Sequence, residues 1–241
     1  MSDIRLGIKG TLGVLNMTKA WTDVWTFRTI IYNFLADCLL ESVNEENKEV
    51  LTPNFWHHFP MEPANPQQES GLEALLACTS ELEKLAVEEA LEKTALEYME
   101  LFIGSGTPKA PPSESFYYSN KKAVFDQKTM EMKQILNEHG LESKRKDKQP
   151  EDHLGLQLLF IAVKSEQLLS VDSEKQCSAV KEQIDFINQH ILSWINELTN
   201  DAKVHGSVGF YAGLIELIWG TLLWDKELLE EFVDSYNYVS L

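Results

Sequence analysis

Residues that bind metals or form disulfides are scarce in this sequence. Its three cysteines, Cys38, Cys78 and Cys177, lie far apart and form no CxxC pair. This spacing argues against a disulfide framework and predicts reduced thiols that serve as small apolar residues. The six histidines form neither an HExxH motif nor an HxxxH pair on one helix face, so no metal site is predicted.

Positive charge is scarce as well. The chain has 21 lysines and arginines against 38 aspartates and glutamates, which gives a formal net charge of −17. Such a surface repels nucleic-acid phosphates and anionic membranes and attracts cationic ligands, so no nucleic-acid partner is predicted. The simpler alternative is that the charge only keeps the protein soluble. The strongly basic stretch at residues 144–148 is predicted to be a solvated connector.

No segment is predicted to target the chain to a membrane or to span one. The apolar N-terminal stretch is interrupted by Lys9 and Gly10, and no small-residue cleavage site follows it. We therefore expect residues 1–19 to form an extension rather than a signal peptide. Residues 204–224 are long enough to span a bilayer, but Glu216 lies in the middle of them, where a carboxylate is costly in lipid.

Small residues line one helical face of that same apolar segment. Gly209, Gly213 and Gly220 fall in helical register with Glu216. This pattern favours a buried helix in close contact with a neighbour. Within such a helix, Glu216 needs a buried partner or a water.

Alternating strand patterns and internal repeats are absent, whereas helical periodicity is frequent. The predicted fold is therefore all-α, a single globular helical bundle with no sheet. The predicted helices span residues 18–43, 80–102, 127–138, 150–168, 173–198, 204–224 and 225–236. We expect one domain over residues 20–241, with an N-terminal half at about 20–105, a loop or hinge at about 104–120 and a C-terminal half at about 121–241.

Local signals predict some of the helix ends. Ser80 and Glu83 form a capping-box pattern, which predicts a helix start. Gly140 suits the left-handed position that follows a helix. Pro150 precedes two acidic residues, an arrangement that favours the first turn of a helix.

A long irregular segment, LFIGSGTPKAPPSESFYYS at residues 101–119, interrupts the helical patterns. It contains GxG and a lysine, but it lacks the Walker A spacing, and its prolines remove amide donors that a phosphate cradle would need. A segment of this length is either functional or a rigid linker between two helical halves.

Asp152 and His153 form the most suggestive polar pair in the sequence. Neighbours on a helix do not face each other, so the pair is not a catalytic dyad by itself. The simpler interpretation is that Asp152 caps amides at a helix start while His153 is a surface or hydrogen-bonded side chain. No serine or cysteine lies in a GxSxG-type elbow, so the protein is predicted not to be an enzyme.

Four segments of the chain together resemble a known family. They are EYMELFIGSGTPKAPPSESFYYS, QPEDHLGLQLLFIA, FINQHILSWINELTNDAKVHGSVGFYAGLIEL and VLTPNFWHHFPM. In their order along the chain, in which the segment given last comes first, they are similar to the TorD/DmsD family of cytoplasmic chaperones, which serve molybdoenzymes exported by the twin-arginine pathway. The last segment looks most like the branch that serves dimethyl sulfoxide reductase.

The resemblance implies a non-catalytic, all-helical, cytoplasmic protein. Such a protein binds the twin-arginine leader of a reductase precursor and holds it until cofactor insertion and folding are complete. The resemblance also implies that the loop acts as a hinge and that the protein is a monomer or a half-swapped homodimer. The family's leader-binding surface falls on Tyr98, Leu101, Phe102, Pro111, Pro112, Ser115, Tyr117, Pro150, Asp152 and His153.

The chemistry of such a leader, two arginines followed by an apolar run, requires carboxylates and an apolar floor. Asp152 and Glu114 are predicted to supply the charge. Tyr98, Leu101, Phe102 and Tyr117 are predicted to supply the floor. We expect residues 101–118 and residue 152 to share one hollow, with the prolines as a preformed wall. We also expect Asp152→Ala and Phe102→Ala to weaken leader binding while leaving the fold intact.

Two other functions stay open from the sequence. One is a nucleotide-binding or nucleotide-hydrolysing helical protein in which Asp152 and His153 lie near the loop. The other is a helical adaptor with no preference for leaders. No cofactor is expected beyond this alternative of weak nucleotide binding.

Overall fold

The computed structural model describes residues 14–104, 106–118, 126–143 and 149–239. The α-helices are α1 Val14–Leu40, α2 Pro53–His57, α3 Pro66–Leu82, α4 Val87–Tyr98, α5 Glu114–Tyr118, α6 Gln127–Glu138, α7 Leu154–Leu168, α8 Ser173–Ile187, α9 Ile195–His205 and α10 Phe210–Val239. A 3₁₀-helix spans Lys48–Leu51, and π-helical turns span Met99–Ile103 and Asn188–Leu192. The described residues contain no strand, which confirms the all-α prediction.

Some predicted segments lie partly or wholly outside the described residues. Of the predicted extension at residues 1–19, residues 1–13 are not described. Helix α1 begins at Val14, earlier than the predicted start at residue 18. Residues 144–148 and the part of the predicted hinge beyond residue 118 also lie outside the described residues.

The predicted capping box is wrong. Ser80 lies in the last turn of α3, where its hydroxyl donates to the carbonyl of Leu76 at 2.7 Å. A serine inside a helix commonly satisfies its hydroxyl in this way instead of capping. The next helix, α4, begins only at Val87 and has no side-chain cap.

Helix α3 was not among the predicted helices, although its start carries a clear signal. Asn65 is its N-cap, with Oδ1 accepting from the Gln68 amide at 2.9 Å, and Pro66 occupies the first helical position. An asparagine followed by a proline favours a helix start, because the asparagine satisfies an amide that the helix leaves free and the proline needs none.

Gly140 is at the position predicted for it. It follows α6 with φ +68°, and the next amide, that of Leu141, donates back to the carbonyl of Leu136 at 2.8 Å. A left-handed residue lets the chain close the helix in this way. By contrast, α7 begins at Leu154 and not at Pro150, so residues 150–153 form a turn whose contacts are described below.

Helices from both halves of the sequence pack against each other around one core. The most extensive packing joins α1 to α7 and α3 to α10, and α10 also contacts α8 and α9. The core holds Trp25, Leu35, Leu101, Trp194 and Tyr211, which are all almost completely buried.

Glycines allow α3 and α10 to approach closely. A Cβ on Gly71 would lie 2.5 Å from the amide nitrogen of Leu217. Gly213 packs against Leu75 in the same way, and Gly220 leaves no room for a Cβ beside Gln68. The close contact predicted for the 204–224 segment is therefore confirmed, except that Gly209 precedes the helix with φ +89°.

Two buried acidic residues of α10 pair with basic side chains. Glu216 accepts from Lys203 at 2.7 Å, but Lys203 is exposed, so Glu216 has a partner that is not buried as the sequence analysis required. Asp225 accepts from Arg28 at 2.7 and 3.0 Å and from the Tyr32 hydroxyl at 2.7 Å, and all three side chains are buried. None of the helices in the described residues is both long and apolar enough to cross a membrane.

Candidate functional site

The irregular loop begins where α4 ends in a π-helical turn. Gly104 terminates this turn with φ +68°, and its amide donates to the carbonyl of Met99 at 2.6 Å. The chain then runs back along the turn, where the amides of Lys109 and Ala110 donate to the carbonyls of Glu100 and Leu101 at 3.3 and 2.8 Å. The loop is thus fixed to the end of α4.

Backbone hydrogen bonds join the second part of the loop to the start of α7. The Leu154 amide donates to the carbonyl of Pro112 at 2.7 Å, and the Glu114 amide donates to that of Asp152 at 3.2 Å. Ser113 and His153 form an isolated antiparallel bridge. The loop and the Asp-His pair therefore lie together, as the sequence analysis expected.

Asp152 anchors this junction with its side chain. It is completely buried, and its Oδ2 accepts from the Ser113 hydroxyl at 2.8 Å and from the Ser115 amide at 2.6 Å. Its Oδ1 accepts from the Thr129 hydroxyl at 2.7 Å. The carboxylate thus caps the first turn of α5, although Asp152 is not part of that helix, and links α5 to α6. Neither of its oxygens faces the surface.

His153 has the capping role that the simpler interpretation gave to Asp152. Nδ1 of His153 accepts from the Gly155 amide at 3.0 Å, which makes the histidine the N-cap of α7. The Asp152 carboxylate turns instead to α5. The pair therefore caps two helices, and both side chains are buried.

Glu114 is the centre of a second buried cluster. Its Oε2 lies 3.0 Å from Nε2 of Gln157 and 3.2 Å from Nδ1 of His190, and its Oε1 lies 3.1 Å from Nζ of Lys128. Lys128 also pairs with Glu131 at 3.0 Å. Burial lowers the pKa of Lys128, but the hydrogen bond to Glu131 and the charge of Glu114 outweigh burial, so the pKa of Lys128 is raised. The negative charge of Glu114 is therefore balanced by the positive charge of Lys128 inside the fold.

The aromatic residues predicted as a floor pack inside the protein. The rings of Tyr98 and Phe102 lie 5.1 Å apart, and each contacts the ring of Tyr211 on α10. Tyr117 stacks on Trp194 with ring centroids 5.5 Å apart. Burial and the negative charge of Asp201 raise the pKa of Tyr117. These rings hold α4 and α5 against the C-terminal helices.

The structure brings the predicted residues together as a packed junction. Most of the eleven predicted site residues are buried, whereas Tyr117 and Pro150 are half-buried. Residues 110–116 and 152–154 are also buried, so the side chains that were predicted to line a trough pack within the fold. Their role in leader binding stays a prediction. A shallow pocket of about 390 Å³ lies elsewhere, between α3 and α10, and is lined by residues that include Cys78, Val208 and Glu216.

This packing changes the expected effect of two substitutions. Asp152 and Phe102 are core residues, so Asp152→Ala and Phe102→Ala are expected to perturb the fold and not only leader binding. Sequence reasoning could not find their partners, because the residues that contact Asp152 lie 23 to 39 positions away.

Another buried carboxylate, Glu97, was missed for the same reason. Its Oε1 accepts from the amides of Val208 and Gly209 at 2.7 and 2.6 Å, and its Oε2 accepts from that of Tyr211 at 3.3 Å. A carboxylate is favourable at the positive end of a helix, so Glu97 joins the end of α4 to the start of α10. Among the described residues, no group of three or more metal-binding side chains is placed to hold an ion.

Comparison with known proteins places the junction within a family region. The family described as "Nitrate reductase delta subunit" matches residues 67–200. The Chaperone protein TorD of Vibrio cholerae serotype O1 is 27% identical over 149 residues, which are 61% of this chain and 67% of the relative. TorD of Psychrobacter sp. is 23% identical over 92% of this chain and 100% of the relative, and TorD of Shewanella oneidensis is 25% identical over 88% and 95%.

The names of these relatives bear on two of the predictions. All three are chaperones, which confirms the prediction that the protein is not an enzyme. The resemblance of residues 50–61 to the dimethyl sulfoxide reductase branch stays a prediction, because the relatives carry the TorD name.

Proposed function

The chain belongs to the nitrate reductase delta subunit family of TorD-type chaperones, and we propose that it is a cytoplasmic chaperone for the catalytic subunit of a molybdenum oxidoreductase. In this proposal the protein binds the twin-arginine leader of the precursor and holds it until cofactor insertion and folding are complete. We further propose that the served catalytic subunit is of the dimethyl sulfoxide reductase type.

The observation that carries the proposal is the extent of the family match. Residues 67–200 contain α4, the loop, the buried anchor Asp152 and the Glu114 cluster, so the matched region includes the whole junction between the loop and α7. The net charge of −17 supports a cationic ligand, because a strongly negative surface attracts arginine-rich peptides.

The proposal includes neither a cofactor nor a catalytic step. The polar groups of the nucleotide alternative, Asp152 and His153, are buried and accept hydrogen bonds from the loop and α7. Saturable nucleotide hydrolysis by the purified protein would favour the alternative.

The experiment is a pull-down from anaerobically grown cells, followed by calorimetry. We expect the tagged protein to recover the precursor of a molybdenum oxidoreductase. We expect the synthetic leader of that precursor to bind the purified chain, and a leader with both arginines replaced by glutamine to bind at least tenfold more weakly. Recovery of no such precursor, together with no binding of any twin-arginine leader, would overturn the proposal.

A further inference from the structure

The outward face of α4 and its π-helical turn carries a row of exposed apolar side chains. Leu96, Met99 and Ile103 are 55%, 49% and 46% exposed. Their spacing of three and four residues places them on one face. Nine large apolar side chains are exposed among the described residues, and three of them lie in this short segment, so they form a patch and are not scattered. We call these three residues the α4 stripe.

Two of the three stripe residues, Met99 and Ile103, lie in the π-helical turn. The Gly104 amide bonds to the carbonyl five residues earlier, that of Met99. The wider turn allows Leu101 and Phe102 to be buried side by side, whereas Met99 and Ile103 remain outside. Single π-helical turns inside a helix are frequent at functional sites.

Carboxylates flank the stripe. Glu92 and Glu100 lie on the same face, are exposed, and form no ion pair with any other described residue. Glu89, one turn earlier, is already paired with Lys93 at 3.3 Å. Apolar side chains beside unpaired carboxylates complement a peptide that carries both positive charge and apolar residues.

The loop provides a fixed edge for this surface. Its Lys109 amide lies 3.3 Å from the Glu100 carbonyl, and Pro108 packs directly against Gly104. A surface that is already ordered costs less conformational entropy when a peptide binds. Residues 96–103 span about 10 Å, enough for about two turns of a helical ligand.

We propose that the α4 stripe, with Glu92 and Glu100, is the docking surface for the leader of the precursor. The apolar run of the leader packs on Leu96, Met99 and Ile103, and its arginines pair with the two glutamates. This inference rests on the proposed function, because it assumes that the chain binds a leader.

Methionine methyl NMR tests the surface without any substitution. Met99 lies in the stripe, whereas Met130 on α6 is also exposed, at 64%, and serves as an internal control. On addition of leader peptide to protein labelled at the methionine methyl groups, we expect the Met99 signal to shift or broaden and the Met130 signal to stay in place.

Surface variants test the energetic role of the stripe. We expect Leu96→Ser/Met99→Ser to raise the Kd for the leader at least tenfold, because anchors near the centre of an interface carry most of the binding energy. Ile30→Ser removes a side chain on α1 that is 63% exposed and should leave the Kd unchanged.

Charge variants test the glutamates. We expect Glu92→Gln/Glu100→Gln to weaken binding and to reduce its dependence on salt. Glu231→Gln, which removes an exposed acid on α10, is the matched control and should change neither.

The outcomes separate the surface from the function. A wild-type protein that binds no leader contradicts the proposed function and leaves the surface without a ligand. A wild-type protein that binds a leader while Met99 stays unperturbed, or while the stripe variants bind as tightly as the Ile30 control, overturns the docking surface alone. Binding at the pocket between α3 and α10 would give that second result.

Discussion

Replacing Asp152 with alanine is expected to destabilise the junction between the loop and α7 strongly. The side chain is completely buried and accepts three hydrogen bonds, from Ser113, Ser115 and Thr129. Alanine removes the acceptor that these three donors share. A buried donor that loses its partner keeps the full cost of its desolvation.

The magnitude follows from which donors can find other partners. The Ser113 and Thr129 hydroxyls lie 3.2 and 3.5 Å from the Ser115 hydroxyl and can turn toward it. The Ser115 amide has no such freedom. A hydrogen bond to a charged group contributes about 1.5–3 kcal/mol, and such contributions are not additive. We therefore expect Asp152→Ala to lower the free energy of unfolding by about 3–5 kcal/mol, since three hydrogen bonds to one carboxylate are lost and only two of the donors can find another acceptor.

Urea denaturation followed by circular dichroism measures this loss, provided that unfolding is two-state. Glu151→Ala removes the same charge from the neighbouring, only half-buried position and should change stability by less than about 0.5 kcal/mol. Hydrogen exchange should show faster exchange in residues 113–118 of the Asp152 variant, because their anchor is lost.

A double-mutant cycle with Thr129→Val isolates one of the hydrogen bonds. We expect a coupling energy of about 1 kcal/mol or more between Asp152 and Thr129. If Asp152→Ala unfolds at the same urea midpoint as Glu151→Ala, or if the two residues are not coupled, the network does not stabilise the junction and the reasoning is refuted.

Three further predictions concern the core. Both polar side-chain atoms of Gln183 are buried without a hydrogen-bond partner, so Gln183→Met is expected to stabilise the protein by about 1–2 kcal/mol, measured as a higher urea midpoint. Gly71→Ala should destabilise it by about 2 kcal/mol or more, because the new Cβ meets the backbone at Leu217; an unchanged midpoint would contradict the close packing of α3 and α10. Burial raises the pKa of Cys38 and Cys78 to about 12, so iodoacetamide at pH 8 should alkylate them roughly a thousandfold more slowly than in urea. Between about pH 8.5, the usual thiol pKa, and about pH 12, these thiols ionise in the unfolded chain but not in the folded one, so the free energy of unfolding keeps its full value below about pH 8.5 and should fall across this range. Labelling as fast as in urea would contradict the raised pKa and this loss of stability.

The parts of the fold that the sequence predicted correctly depend on local patterns. Helical periodicity identified the region of α6 and the position of Gly140, because a left-handed residue after a helix is a local requirement. The close contact made by the glycines of α10, and the need of Glu216 for a partner, could also be predicted from the spacing of these residues along one helix. In these cases the residues that carry the signal are near each other in the chain.

The errors arose where a residue interacts with a distant segment. The Ser80–Glu83 pattern is compatible with a cap, but packing of α3 on α10 extends the helix through it. Tyr98 and Phe102 pack against Tyr211 on α10, a contact that the sequence did not predict, while their role in leader binding stays a prediction. An aromatic residue at a helix end has no local feature that distinguishes a core position from a ligand-binding one.

The two buried carboxylates that fix the candidate site follow a common principle. Asp152 accepts from the amide of Ser115, 37 residues away, and Glu97 accepts from that of Tyr211, 114 residues away. Each carboxylate caps a helix to which it does not belong, so a search for caps at the residues before each helix cannot find them. Together they fix the loop to α7 and the end of α4 to α10.

This arrangement separates positioning residues from residues that touch a leader. Glu97 joins α4 to the start of α10 and Asp152 joins the loop to α7, but both are buried and cannot contact a peptide in this conformation. A substitution of Asp152 should therefore weaken leader binding only together with faster hydrogen exchange in residues 113–118. A substitution of Met99 should weaken binding with exchange unchanged, because its side chain is exposed. If Asp152→Asn bound the leader more weakly while the exchange of the loop stayed at the wild-type rate, the carboxylate itself would contact the ligand, and the division between anchor and surface would be wrong.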